Sequence, residues 1–102
     1  MGTYQSKNYS KPTYIKKVIH WDKDNDVKVY NYTELSIVIS SQSKWGKENN
    51  HILQQNGGKF NNHFRTLEGE IFQGYVFAKS DQRTRDMILK LFSIDIYLPQ
   101  QN

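Results

Sequence analysis

Cysteine is absent from the 102 residues, which excludes a disulfide scaffold, a thiolate metal site and a cysteine nucleophile. No run approaches the roughly 18 consecutive apolar residues of a membrane-spanning helix. No apolar segment near the amino terminus has the form of a secretory leader, so the expectation is an intracellular chain that is not secreted. Alanine occurs once, at Ala78, which argues against a helical bundle, since such bundles favour Ala and Leu. Leu, Ile, Val and Phe together number 25, little above the share of about 20% below which chains stay disordered. Aromatic residues must therefore supply much of the core. Seven Tyr, five Phe and two Trp are present, each bringing roughly 150–250 Å² of buriable surface. Nine Ile and five Val favour strands. The length suffices for one domain and is too short for two.

Lys and Arg number 14 against 10 Asp and Glu, a net charge of +4. Residues 1–20 carry +4 through Lys7, Lys11, Lys16 and Lys17, and the body from residue 21 onward is neutral. Within that body, residues 35–66 carry +3 through Lys44, Lys47, Lys59 and Arg65 against Glu48. A folded nucleic-acid binder concentrates its cations on one face, and only this middle segment with its neighbours can build one.

Residues 1–13 are polar, with Gly, Pro and Ser and no apolar periodicity, and read as a flexible basic arm. Residues 14–98 then form a single domain, and 99–102 a C-terminal tail. Ile15, Val18 and Ile19 predict a first strand, the turn formers Asp22 to Asp26 a hairpin, and Val27 to Tyr32 its return. Ser36 to Ser41 is a continuous β-branched strand. Ser43 caps a predicted helix over about 44–55 with Trp45, Ile52 and Leu53 inward, and Gly57 supplies a left-handed stop. Lys59 to Phe64 and Ile71 to Lys79 follow as strands, Gly74 marking a bulge or a close backbone approach. Ser80, aided by Asp81, caps a second helix whose buried stripe is Met87, Ile88, Leu91 and Phe92. Ile94, Ile96 and Leu98 alternate as a final edge strand before Pro99, and such an edge leaves room for a homodimer. The expected fold class is α+β: one antiparallel or mixed sheet packed against two helices, in the order β-β-β-α-β-β-α-(β).

Catalytic chemistry finds little support. Asp22, Asp24 and Asp26 have the one, three, five spacing of a calcium loop, but Val27 and Thr33 stand where that loop needs Gly and Glu. His20, His51 and His63 lie far apart without a two-histidine helical spacing. No nucleophile elbow surrounds a serine, and Gly57-Gly58 follows a helix where a phosphate loop would open one. The expectation is a non-enzymatic protein with no metal and no cofactor. At the amino terminus, Met1-Gly2-Thr3-Tyr4-Gln5-Ser6 fits the N-myristoylation pattern, which makes Gly2 a candidate lipidation site. Lys7 and Lys11 would supply the second, basic signal that stable attachment needs.

Two motifs stand in order between residues 53 and 91: Gly57-Gly58-Lys59-Phe60-Asn61, then Gly74-Tyr75-Val76-Phe77-Ala78-Lys79 leading into a charged amphipathic helix. The pair resembles a small module recurring in large DNA viruses of eukaryotes and in phage or plasmid proteins. In that module a strand and helix lead into Gly-Gly-Lys-(Phe/Trp)-Asn, then Gly-Trp-(Ile/Val)-Phe, then a Lys/Glu-rich helix. The likeness covers about 36–92. This chain departs from it at Tyr75, where Trp is usual, in a longer and more acidic insertion between Arg65 and Gly74, and at Ser43-Lys44-Trp45, where Thr-Lys-Pro is usual. The module has no firmly assigned activity. The resemblance implies a viral or mobile-element origin, hence the cytoplasm or nucleus of a host cell, and a DNA-handling context.

From the residues, Lys44, Lys47, Lys59, Asn61, Arg65 and Lys79 flank one turn and its strands and would track phosphates. An exposed Tyr75 or Trp45 would stack the bases of a single strand. The leading expectation is thus a module binding single-stranded or irregular nucleic acid with low sequence preference, through four to six phosphate contacts. The alternative is a protein-interaction module, an adaptor that binds a host or viral protein, with the arm as its tether. No small-molecule substrate is expected.

Overall fold

The turn formers and β-branched runs do their local work. In the computed structural model, which describes residues 14, 15 and 17–96, they delimit six strands and three helices. In chain order these are β1 (Tyr14–Ile15), β2 (Lys17–Asp22), β3 (Val27–Thr33), β4 (Ser36–Ser40), α1 (Lys44–Glu48), α2 (Asn50–Gln55), β5 (Lys59–Thr66), β6 (Ile71–Ala78) and α3 (Gln82–Phe92). The arm 1–13 with Gly2, the tail 99–102 and Leu98 lie outside the described residues. The protein is an α+β domain.

One sheet has the order β1-β5-β6-β4-β3-β2. Every neighbour pair is antiparallel except β1 with β5, which is parallel. The β2–β3 hairpin closes because Asp22 accepts a 2.9 Å bond from Asn25 Nδ2, while Asp26 takes a positive φ of 55° that Asp tolerates. β1 and β2 are separated by one residue, yet β1 pairs with β5, β2 pairs with β3, and β1 also lies against β3. The sheet therefore bends back towards itself.

That bend explains two cores. Residues directly opposite on neighbouring strands share a face. Val29, Ile39 and Tyr75 stand opposite in sequence across β3, β4 and β6, as do Ile37 and Phe77, and this face meets Leu53, Met87, Ile88 and Phe92 of the helices. The other face carries Tyr30, Val38, Phe64 and Phe72. Phe64 and Val38 are fully buried there, because the sheet wraps around them. The rings of Tyr30 and Phe72 stack at 4.9 Å.

Three expectations need correction. The helix expected over 44–55 is broken at Asn49, which leaves helical geometry (φ −115°, ψ 15°); its N–H and its Nδ2 both donate to the Trp45 carbonyl, at 2.9 and 2.8 Å, so Asn49 caps the end of α1 and α2 starts after it. The second long helix is capped by Asp81, not Ser80, since Asp81 accepts from the Arg83 N–H at 2.9 Å. Residues Ile94 and Ile96 form no strand. Ser93 ends α3 in the left-handed region (φ 60°), and both isoleucines pack against the helix-side core, so the expected edge for a homodimer is missing from the described residues. Among those residues no helix is long and apolar enough to cross a membrane.

Candidate functional site

The chain leaves β4 through Ser41, whose N–H donates to the Gln73 carbonyl at 3.0 Å. Ser43 then caps α1 by accepting from the Gly46 N–H at 3.2 Å. These bonds fix where α1 and α2 cross the sheet. Lys47 of α1 stands before the break at Asn49, and Asn50 and Gln54, four residues apart on one side of α2, stand after it. They form one wall of a groove of about 290 Å³, with Gln73, Phe60 and Tyr75 of β5 and β6 opposite.

Phe60 and Tyr75 are cross-strand partners, with ring centroids 5.3 Å apart and tilted by 60°. Tyr75 is 4% exposed, and its hydroxyl accepts from Gln54 Nε2 at 3.3 Å. Phe60, by contrast, is 50% exposed. Its position results from a register shift between Asn61 and Phe64, which places two phenylalanines four residues apart on opposite faces. Phe60 enters the groove; Phe64 enters the wrapped core. Ser41, only 2% exposed, also lines the groove, and its hydroxyl has no hydrogen-bond partner among the described residues. A buried hydroxyl without a partner carries a desolvation cost of about 1–3 kcal/mol, which a polar ligand atom would offset. The groove therefore combines an aromatic surface, three primary amides, two hydroxyls (Ser41 and the Gln54-bonded Tyr75) and one ammonium. Among the described residues no carboxylate lines it.

Of the eight residues expected to act together, the structure brings few onto one surface. Lys47 and Tyr75 line the groove, and Arg65 stands opposite Ile71 on the same face of the sheet. Tyr75 is not an exposed stacking platform, because its ring is covered within the core. Neither is Trp45: it is half-buried and packs on Phe92 at 6.0 Å. Lys44 is exposed, 3.9 Å from the Glu48 carboxylate. Lys59 and Asn61 stand opposite Val76 and Gly74, on the other face, since strand positions alternate. Asn61 further accepts from the His63 N–H at 2.8 Å. Lys79 is half-buried and donates to Asn31 Oδ1 at 2.7 Å. Sequence reasoning missed Ser41, Asn50, Gln54 and Gln73, and gave Phe60 no place among the site residues. The sequence carried no clear signal for them, because Lys47, Asn50 and Gln54 lie among the equally polar Glu48, Asn49, His51 and Gln55.

A larger hollow of about 420 Å³ opens beside the wrapped core, among Asp26, Lys28, Tyr30, Glu70 and Phe72. Burial, then Glu70, Asp26 and Glu68, push the Tyr30 phenol above its ordinary range. Two carboxylates, Asp26 and Glu70, and one ammonium, Lys28, line the hollow. No group of three His, Asp or Glu suited to a metal ion occurs among the described residues.

No family model, curated protein or solved structure matches the chain.

Proposed function

We propose that the protein is a non-enzymatic nucleic-acid-associated module that binds single-stranded or irregular nucleic acid with low sequence preference. The observation that supports this reading is a groove that, among the described residues, no carboxylate lines and that holds both the half-exposed Phe60 ring and a Ser41 hydroxyl without a partner. An unpaired base stacks on Phe60, an interaction worth about 1–3 kcal/mol and tolerant of base identity. The amides of Asn50, Gln54 and Gln73 and the Ser41 hydroxyl offer donors and acceptors to its edge. Lys47 meets the adjoining phosphate, and Arg65 a further one along the same face. A duplex hides both faces of each base within its stack, so the groove favours unpaired strands. The resemblance to modules of DNA-handling genomes points the same way.

Fluorescence anisotropy with labelled single-stranded oligonucleotides and a matched duplex, at low and moderate salt, tests the proposal. Binding is expected for the single strands, weaker for the duplex, with Phe60→Ala lowering affinity on the order of tenfold and Lys47→Gln lowering it less. Absence of single-strand binding at low salt, or full affinity in Phe60→Ala, overturns it. A protein-interaction role draws on a different surface, the exposed apolar row of β2, and becomes the leading reading in that event.

A further inference from the structure

β2 is the terminal strand of the sheet, and among the described residues nothing pairs with its outer edge. Three of its six residues are exposed and apolar: Val18, Ile19 and Trp21. The Trp21 indole, 48% exposed, has the Lys23 and Lys28 ammonium groups within 5.2 Å and 5.0 Å of its ring centre. Such an edge is a template for further strand pairing, and folded proteins usually cover, shorten or charge it. Here it is six residues long, half of them apolar, and among the described residues nothing covers it.

The register of β2 against β3 shows what fits. A shift between Val18 and His20 leaves Ile19 as an extra residue. Its effect is to place Val18 and Trp21 on one face, opposite Tyr30 and Lys28, and Lys17 and Asp22 on the other, opposite Asn31 and Val27. In an unbroken strand, residues separated by an odd number lie on opposite faces, and neither pair would match. With the irregularity, a second antiparallel copy of β2 related by a two-fold axis between Ile19 and His20 sets Lys17 against Asp22 and Val18 against Trp21, each pair on a common face. Both cross-strand pairs then occur twice, since a two-fold interface is self-complementary. Opposite charges and apolar partners directly across a strand pair are each stabilising.

We infer that β2 is a self-association surface: two copies of the chain pair their β2 strands antiparallel, joining the two sheets, with Lys17 meeting the partner's Asp22 and Val18 the partner's Trp21. This surface is separate from the Phe60 groove and does not depend on nucleic-acid binding.

Sedimentation analysis of the full chain from about 1 μM to about 1 mM, a range in which mass action populates even a weak dimer, reads the outcome. A monomer–dimer equilibrium is expected. Lys17→Asp alone and Asp22→Lys alone each set like charges opposite one another twice, and each should weaken self-association on the order of tenfold. An equimolar mixture of the two variants restores both charge pairs and should form a heterodimer, visible by native mass spectrometry. Circular dichroism confirms that each variant is folded. Because Asp22 also anchors the hairpin turn, Lys17→Asp and Trp21→Ser carry the test if Asp22→Lys does not fold. A wild-type chain that stays monomeric throughout the range overturns the inference. So does a dimer that survives Lys17→Asp and Trp21→Ser undiminished, or a variant mixture that fails to associate when both components are folded.

Discussion

Phe60 and Phe64 are four residues apart in one strand and perform opposite tasks. A two-residue period would put both on the same face, but the register shift between Asn61 and Phe64 separates them. Phe64 is fully buried against Phe72 and Tyr32, so Phe64→Ala should cost about 3–5 kcal/mol of unfolding free energy, measured by urea titration. Phe60→Ala should cost less than about 1 kcal/mol while removing the stacking surface of the groove. Equal losses at the two positions would mean that Phe60 is structural. Gly74 shows a residue whose role could be read in advance: a Cβ there would lie 2.5 Å from the Ile39 carbonyl oxygen, so the expected close approach of backbone is what the sheet requires.

The helices show where elements depend on single caps. Asp81 accepts from the Arg83 backbone N–H and lies 2.7 Å from the Arg83 guanidinium. The Arg83 side chain, and then its N–H, hold the Asp81 carboxyl below the ordinary carboxylate range. The depressed folded value means that its contribution to stability is complete above the unfolded value and is lost as pH falls through the folded one. Asp81→Ala should therefore lower the thermal midpoint at neutral pH, with the gap to wild type closing as the solution is acidified through and below about pH 4; circular dichroism melts across that range check it. A gap independent of pH would assign the effect to something other than the charged cap. A cap near this position was legible, because Ser80 and Asp81 are both good N-cap residues. Which of them serves depended on how the chain leaves β6, and that is a tertiary matter. The break at Asn49 has the same origin: Asn is a weak helix former anywhere, and only the path across the sheet makes the interruption useful, by bringing Lys47, Asn50 and Gln54 to one groove with Phe60.

At the scale of the whole molecule, charge is dispersed where the sequence suggested convergence. Lys59 and Asn61 are on one face, Lys47 and Arg65 on the other, and Lys79 is engaged with Asn31. For single strands the logarithm of affinity falls with the logarithm of salt by about 0.7 per phosphate neutralised. Two cations along the groove face predict a slope of about −1.4, whereas the four to six contacts expected from sequence would give about −2.8 to −4.2. Anisotropy titrations at several salt concentrations separate these. A slope in the steeper range would place the basic arm or the opposite face in the binding surface.

The α+β class, the hairpin over Asp22–Asp26, the β-branched strand β4 and the buried stripe of α3 were all written locally, in turn chemistry, branching and period. Local rules suffice there because each concerns residues within one element. The wrapped second core, the groove and the face-matched edge of β2 were not. The second core follows from the bend that brings β1 against β3 and β5, and the groove and the β2 edge from one-residue register shifts in β5 and β2, each of which moves the later side chains of its strand to the other face. A shift of that kind is set by pairing with a strand far along the chain, so only the assembled sheet decides it.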